Sequence, residues 1–340
     1  MKKYGLYIVL LLLMFTSCER EVVREFDFDA DVNLCSLWSI LDERYCYFYA
    51  KGIDWNGVYY IYQQRLYNKR QWTVYEYFDL LAQMLDTLQD GHVNLYSPFD
   101  VSSCAGWYDD YPTDFYQEML TAERYLGNNI RRAGGFQYGY LAGTKVGYIR
   151  YASFSNGFSG QNLAYIDNYF SDADGIVLDV RTNGGGQLDY SERLAACFFK
   201  QRTVTGYIQH KTGKGHNDFS EPQPLYTDPA TAPLDLSDRK VVLLTNRRCY
   251  SATNDFVVRM LQAPNVTVMG GITGGGGGMP LSQELPNGWM VRFSAVPMYD
   301  AKMNHTEFGV EPEVEVHISM DDLAAGHDNI LDKAIEYLTK

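Results

Sequence analysis

Apolar positions recur at three- and four-residue intervals through the first quarter of the chain. Leu34, Leu37, Trp38 and Leu41 form one such stripe, and Tyr77, Leu80, Leu81, Met84, Leu85 and Leu88 form another. That spacing puts the side chains on one face of a helix and predicts three helices over 32–88. The second should begin at Trp55, where Asp54 is placed to cap it after the turn Lys51-Gly52-Ile53. Between Gly91 and Lys145 Tyr, Gly and Asp follow no period, which predicts loops and short strands. From Val146 the texture changes to strand-like runs alternating with helical ones. Strands are expected over 146–151, 175–180, 204–209, 240–245 and 266–269, and helices over 162–170, 189–199 and 253–262. Three further strands, 281–285, 289–295 and 314–318, precede a closing helix over 328–338. Strand alternating with helix predicts a mostly parallel sheet covered by helices.

The chain opens with Lys2 and Lys3 ahead of an apolar run, Leu6 to Phe15, too short for a stable membrane span. This is the pattern of a signal peptide over 1–17. Thr16 and Ser17 lead directly into Cys18, resembling a bacterial lipobox, in which the cysteine becomes the lipidated first residue. Residues 18–31 are charged and unpatterned and are expected to form a tether. The expected location is therefore the cell envelope, with the protein lipid-anchored on its periplasmic face or outer surface. A formal net charge of -13 argues against nucleic acid as a partner, because phosphate binding needs clustered Lys and Arg. Cys35, Cys46, Cys104, Cys197 and Cys249 show no CxxC spacing, so neither a metal site nor a disulfide framework is expected, and no cofactor is implied.

Chemistry enters at Val241 to Leu261, VVLLTNRRCYSATNDFVVRML, where a strand-like run breaks at Ser251 just as a helical pattern begins. A serine there can be a helix N-cap or a nucleophile on a strand-to-helix turn, and the segment alone leaves both open. Upstream, Asp179 to Gly186 (DVRTNGGG) ends a buried strand in three glycines. With no GxGxxG and no Gly-Lys-Ser/Thr, the run is not a nucleotide loop. Its uncovered backbone N–H groups instead suit an oxyanion hole. Leu88 to Val93 (LQDGHV) delivers His92 from a helix end, and Thr306 to Val316 (TEFGVEPEVEV) carries several acids in a turn. Taken singly, the histidine reads as structural and the acids as solvated turn charges.

Together and in this order, DGH, GIVLDVRTNGGG, CYSATNDF, GGITGGGGG and EFGVEPEVEV resemble the S41 serine peptidases, the C-terminal processing and tricorn-core group, from about Phe26 to Leu338. The resemblance implies an α/β fold: a ClpP/crotonase-like spiral core over 146–340, preceded by a small helical domain over 32–90 and connecting segments over 91–145. It also implies Ser251 as nucleophile, with the N–H groups of Ala252 and one of Gly184 to Gly186, most naturally Gly185, as the oxyanion hole. One branch of the family activates its serine with a lysine in the glycine-rich loop, and Gly270 to Gly278 contains none. The tricorn-like branch uses a histidine and a glutamate, and His92 and Glu307 stand at the matching positions. His92 would be the general base and Glu307 its orienter.

Two departures are visible. Gly91 stands where the tricorn-like pattern has a serine, and the interval before the core is too short for the PDZ domain many members carry. Gly274, Gly275 and Gly276 are expected to offer backbone to an extended substrate. The implied activity is a serine endopeptidase (EC 3.4.21.-) acting on peptides or unfolded protein. Its rivals are a non-catalytic peptide- or ligand-binding protein on the same fold and an esterase-like hydrolase. Cys249, two residues before Ser251, is expected to be a packed core thiol.

Overall fold

Leucine-rich stripes and strong caps build the N-terminal helices in a computed structural model that describes residues 29–340. The expected leader, Cys18 and nearly all of the tether lie outside the described residues. Helix α1 (Ala30–Arg44) is capped by Asp29, which accepts from the Val32 N–H, and a single turn α2 (Phe48–Lys51) ends at left-handed Gly52. Helix α3 (Trp55–Tyr67) starts at the expected cap Asp54, and α4 (Val74–Asp86) starts with a reciprocal Thr73–Glu76 capping box. These helices do not close a core by themselves. Leu34, Leu37, Trp55, Leu81 and Met84 pack with Trp289, Val291 and Phe293, so a hairpin late in the chain supplies the opposite wall.

The remaining chain forms two sheets where one had been expected. The larger is ordered β12-β9-β8-β5-β4-β3-β2. Its parallel part comprises β4 (Val146–Tyr151), β5 (Gly175–Asp179), β8 (Val241–Thr245), β9 (Val266–Gly270) and the two-residue β12 (Val314–Glu315), and β3 (Phe136–Tyr140) and β2 (Arg131–Ala133) add antiparallel. Side chains alternate across it. Leu178 and Leu243 join the core under α5 (Gly160–Tyr169), α6 (Leu188–Ala196) and α7 (Ala252–Met260). Val177, Val242 and Leu244 face α8 (Asn329–Thr339).

The smaller, antiparallel sheet is ordered β1-β11-β6-β7, with β10 also on β11. Its members are β1 (Asn94–Tyr96), β6 (Thr203–Ile208), β7 (Gln223–Thr227), β10 (Gly278–Glu284) and β11 (Met290–Asp300). The run 204–209, expected in the alternating strand-and-helix sheet, belongs here instead, as do 281–285 and 289–295, expected as strands with no sheet assigned. Apolar patterning reports that a strand is buried but not which sheet it joins. Strand β7 escaped the sequence reading because Pro224 and its polar neighbours give no alternation.

Under the junction of β5 with the glycine turn lies a fully buried ionic cluster. The Arg181 guanidinium donates to Asp179 at 2.7 Å and to Asp328 at 2.9 Å, and the Tyr148 hydroxyl donates to Asp179 at 2.8 Å. Asp328 also caps α8. Asp179 and Arg181 of the DVRTNGGG segment are thus structural, tying the turn to the C-terminal helix.

Candidate active site

Ser251 sits between β8 and α7 with φ 57 and ψ -120. A non-glycine residue held there costs about 1–3 kcal/mol and persists only when its surroundings fix it. They do: the Ser251 N–H donates to the Gly275 carbonyl at 2.9 Å, the Asp255 N–H donates to the Ser251 carbonyl at 3.0 Å, and the Tyr250 N–H donates to Asn183 at 3.1 Å. The side chain makes no capping hydrogen bond to the helix. Of the two readings open for this serine, the cap is the one the geometry removes, and the hydroxyl is turned toward His92.

His92 follows the turn that ends the first helical unit and is buried. Its Nε2 lies 3.0 Å from Ser251 Oγ. Asp90 holds the turn, its Oδ1 accepting from the His92 backbone N–H at 2.8 Å and its Oδ2 from the Tyr45 hydroxyl at 3.0 Å. Burial lowers the imidazole to about 4, so it is neutral and able to accept a proton at pH 7. Its buried Nδ1 has no side-chain partner, and the Gly278 backbone beside the ring favours the charged form.

Glu307 comes into the same buried cluster on a 3-10 turn (Thr306–Phe308), but its carboxylate does not bond the imidazole. Oε1 pairs with Lys51 Nζ at 2.7 Å, and the Gly277 backbone also favours the charged carboxylate. Burial and the nearby Asp90 carboxylate push Glu307 up to about 8. The direct orienting bond expected between Glu307 and His92 is therefore replaced by a Lys51–Glu307 pair. Glu311 and Glu313 stay on the outside of this segment, where Glu313 accepts from the Val268 N–H at 2.9 Å.

Gly185 lies against the serine: a Cβ there would stand 2.9 Å from Ser251 Cβ and 3.0 Å from the Ala252 nitrogen. The Ala252 N–H belongs to the first helical residue, which has no intrahelical acceptor. The Gly185 N–H already donates to Asn183 Oδ1 at 3.0 Å, so an oxyanion would have to share or displace that bond.

The glycine loop departs from its expected role. A Cβ on Gly274 would meet the Arg247 carbonyl at 2.3 Å and Trp107, and one on Gly275 would meet the Glu307 carbonyl at 1.8 Å. A side chain is excluded at both positions by the protein's own atoms, and Gly274 faces the larger cavity behind Tyr250, not the cleft beside Ser251. Gly276, pressed against the Tyr250 ring, does line a cleft beside Ser251, with Gly277 and Gly278.

That cleft has a volume of about 40 Å³ and is lined by Leu188, Leu225, Val258, Met298 and Asp255. The Asp255 carboxylate is already engaged by Ser191 at 2.6 Å and Arg259 at 2.9 Å. A larger cavity of about 730 Å³ opens behind Tyr250, lined by Lys51, Gly91, Trp107, Arg247 and Glu307 but not by Ser251. Cys249 is no rival nucleophile here. It is buried, its thiol donates to the Val180 carbonyl at 3.1 Å, and burial pushes it up to about 12.

Residues 145–316 match the family model of peptidase family S41, and 31–86 match the tricorn protease C1 domain. A crystal structure of a candidate peptidase from Parabacteroides merdae ATCC 43184 is 47% identical, with a TM-score of 0.86, covering 92% of this chain and 98% of that one. The chain belongs to peptidase family S41.

Among more distant S41-type folds, mature CPAF complexed with lactacystin superimposes with a TM-score of 0.65 at 12% identity, covering 91% of this chain and 97% of that one. A candidate Tricorn-like protease C-terminal subunit from Sulfurisphaera tokodaii is 26% identical over 200 residues, 58% of this chain. The chain spans about a fifth of that curated relative's length, the matched share being 21%. The S41 family and its fold support a peptidase function for this protein.

Sequence reading missed Lys51, Asp90 and Tyr250. Asp90 lay inside the quoted DGH motif, but nothing in a KGID turn marks Lys51 as a neighbour of residues 256 positions away, as its contact with Glu307 requires.

Proposed function

We propose that the protein is a serine endopeptidase of the cell envelope that hydrolyses peptide bonds with Ser251 as nucleophile. The observation that carries this reading is the 3.0 Å approach of a neutral, buried imidazole to a serine hydroxyl held on a strained strand-to-helix turn. In the forward step His92 Nε2 takes the Ser251 proton as Oγ bonds to the scissile carbonyl carbon. The carbonyl oxygen, now anionic, turns toward the Ala252 N–H and the glycine turn. The C–N bond then breaks as the imidazolium returns its proton to the leaving amine. Water, activated by the same imidazole, hydrolyses the acyl-serine. The Asp90 carboxylate favours the charged imidazole, Glu307 shares the buried cluster through Lys51, and a small apolar side chain of the substrate fits the narrow cleft beside Ser251.

The envelope location rests on Cys18 as a lipid anchor. Wild-type protein is expected in the detergent phase on phase separation, and Cys18→Ala as an uncleaved or mislocalised precursor; aqueous recovery of the wild type rejects the anchor.

Catalysis itself is tested by incubating the purified protein with a fluorophosphonate and mapping the adduct by mass spectrometry. A phosphonyl group on Ser251 that disappears in Ser251→Ala is the expected result. An unlabelled protein that still binds peptides would favour the non-catalytic reading.

A further inference from the structure

Lys51 is the cation at the centre of the buried cluster, and it comes from the helical unit, not from the catalytic core. It ends α2, immediately before left-handed Gly52, and its side chain is only 9% exposed. The ammonium donates to the carbonyls of Leu88 at 3.2 Å and Gln89 at 3.0 Å, pairs with Glu307 Oε1 at 2.7 Å, and lies 3.9 Å from Asp90 Oδ2. Leu88, Gln89 and Asp90 are the residues leading into His92, and Gln89 itself is held at φ 45. One ammonium therefore ties the turn that carries His92 to the turn that carries Glu307.

We propose that Lys51 is a positioning residue of the catalytic centre, cross-linking the His92 and Glu307 turns and adding positive charge beside the imidazole. The proposal rests on Ser251 and His92 being the catalytic pair. Its physical basis is charge as well as geometry. Asp90 and Lys51 act on the buried Glu307 in opposite senses, the one raising and the other lowering it, and removing the cation from such a buried cluster leaves the Asp90 charge less compensated. Around His92 the charged groups are Asp90, which favours the imidazolium, and Lys51 and Arg292, which disfavour it. Arg292 is further engaged with Asn94 at 3.3 Å. Tyr250 packs its ring 5.0 Å from the imidazole, while Tyr45 bonds Asp90, the Tyr47 ring lies 5.8 Å from the ammonium, and the Cys46 thiol is buried beside them. Losing Lys51 therefore leaves the cluster more negative, so that the imidazole protonates more readily and the turn loses its tie.

The test compares Lys51→Met and Lys51→Arg with wild type by steady-state peptide hydrolysis and by the pH dependence of Ser251 phosphonylation. Lys51→Met is expected to lower kcat about 100-fold, as small displacements of a catalytic group do. KM should change little, and the acid limb of the phosphonylation rate should move to higher pH. Lys51→Arg should restore the limb and part of kcat. Wild-type kcat in Lys51→Met overturns the proposal, and so does a lower rate with an unmoved acid limb, which a merely structural lysine would give. Should Lys51→Met not fold, Lys51→Arg and Lys51→Gln carry the same comparison, and equal profiles in those two overturn it. Failure of the underlying reading is distinguishable: it would show as phosphonylation surviving in Ser251→Ala or unaffected in His92→Ala, whatever Lys51 does.

Discussion

His92 Nε2 and Ser251 Oγ lie 3.0 Å apart, although 159 positions separate the two residues in the chain. The histidine arrives from the end of the helical unit and the serine from the end of a central strand, so their meeting depends on how those two parts dock. Removing the nucleophile should abolish peptide hydrolysis. Ser251→Ala should leave stability within about 1 kcal/mol of wild type, because the hydroxyl caps nothing. Ser251→Gly should be equally inactive yet no less stable, since glycine adopts φ 57 without strain. Thermal denaturation beside an activity assay checks both, and residual hydrolysis in either variant would reject the nucleophile.

The acid limb of the rate should lie well below the ordinary histidine value. Burial lowers His92 from 6.5 to about 4, so the base is neutral at pH 7, and the rate should rise near pH 4 and then level. His92→Ala should cost about 10²- to 10⁴-fold in kcat. Adding Ser251→Ala to it should cost little more, because members of one catalytic unit are not additive. A rise centred near 6.5 would place His92 in contact with water.

Glu307 gives a stability signature with a definite sign. Its folded-state value of about 8 lies above the ordinary 4.5, so between those limits the folded protein holds a proton that the unfolded chain has released. Stability should therefore fall as pH rises through that window, with the penalty complete above about 8. Glu307→Gln removes the titration and should flatten the curve, gaining more at pH 9 than at pH 5. Denaturant midpoints of the two proteins at those values of pH provide the measurement, and parallel curves would sink the assignment.

Restoring a serine beside the histidine should harm the protein. A Cβ on Gly91 would stand 2.6 Å from Trp107 Nε1 and 2.8 Å from the Tyr250 hydroxyl, in a site where Trp107 and Tyr250 are stacked at 4.2 Å. Gly91→Ser should cost about 1–3 kcal/mol by overpacking. Tyr250→Phe in the same chain should recover part of that loss, since it removes the crowding oxygen. A double-mutant cycle that is strictly additive would show that Tyr250 and Gly91 do not share the space.

Much of this protein is readable in one dimension. A helix with an apolar stripe, such as Val74–Asp86, the Asp54 cap ahead of Trp55, and central strands such as Val241–Thr245 declare themselves by local spacing, because burial of one face or both is a property of neighbouring residues. Motif order likewise carries the family, and with it Ser251 and His92 as partners. What the chain alone does not contain is any long-range choice among equally suitable neighbours. Strand-forming residues at 278–300 could have extended the parallel sheet, but tertiary packing places them against the N-terminal helices, closing a core those helices cannot close alone. The glycines at 274 and 275 read as open backbone until Arg247 and Trp107 are seen to fill the space a Cβ would need at the first, and the turn carrying Glu307 at the second. Glu307 read as the partner of His92 until its carboxylate was found paired with a lysine from the helical unit. Which charge neutralises a buried carboxylate is decided by docking, since any cation within reach lowers the same desolvation cost, and only the fold determines which one reaches.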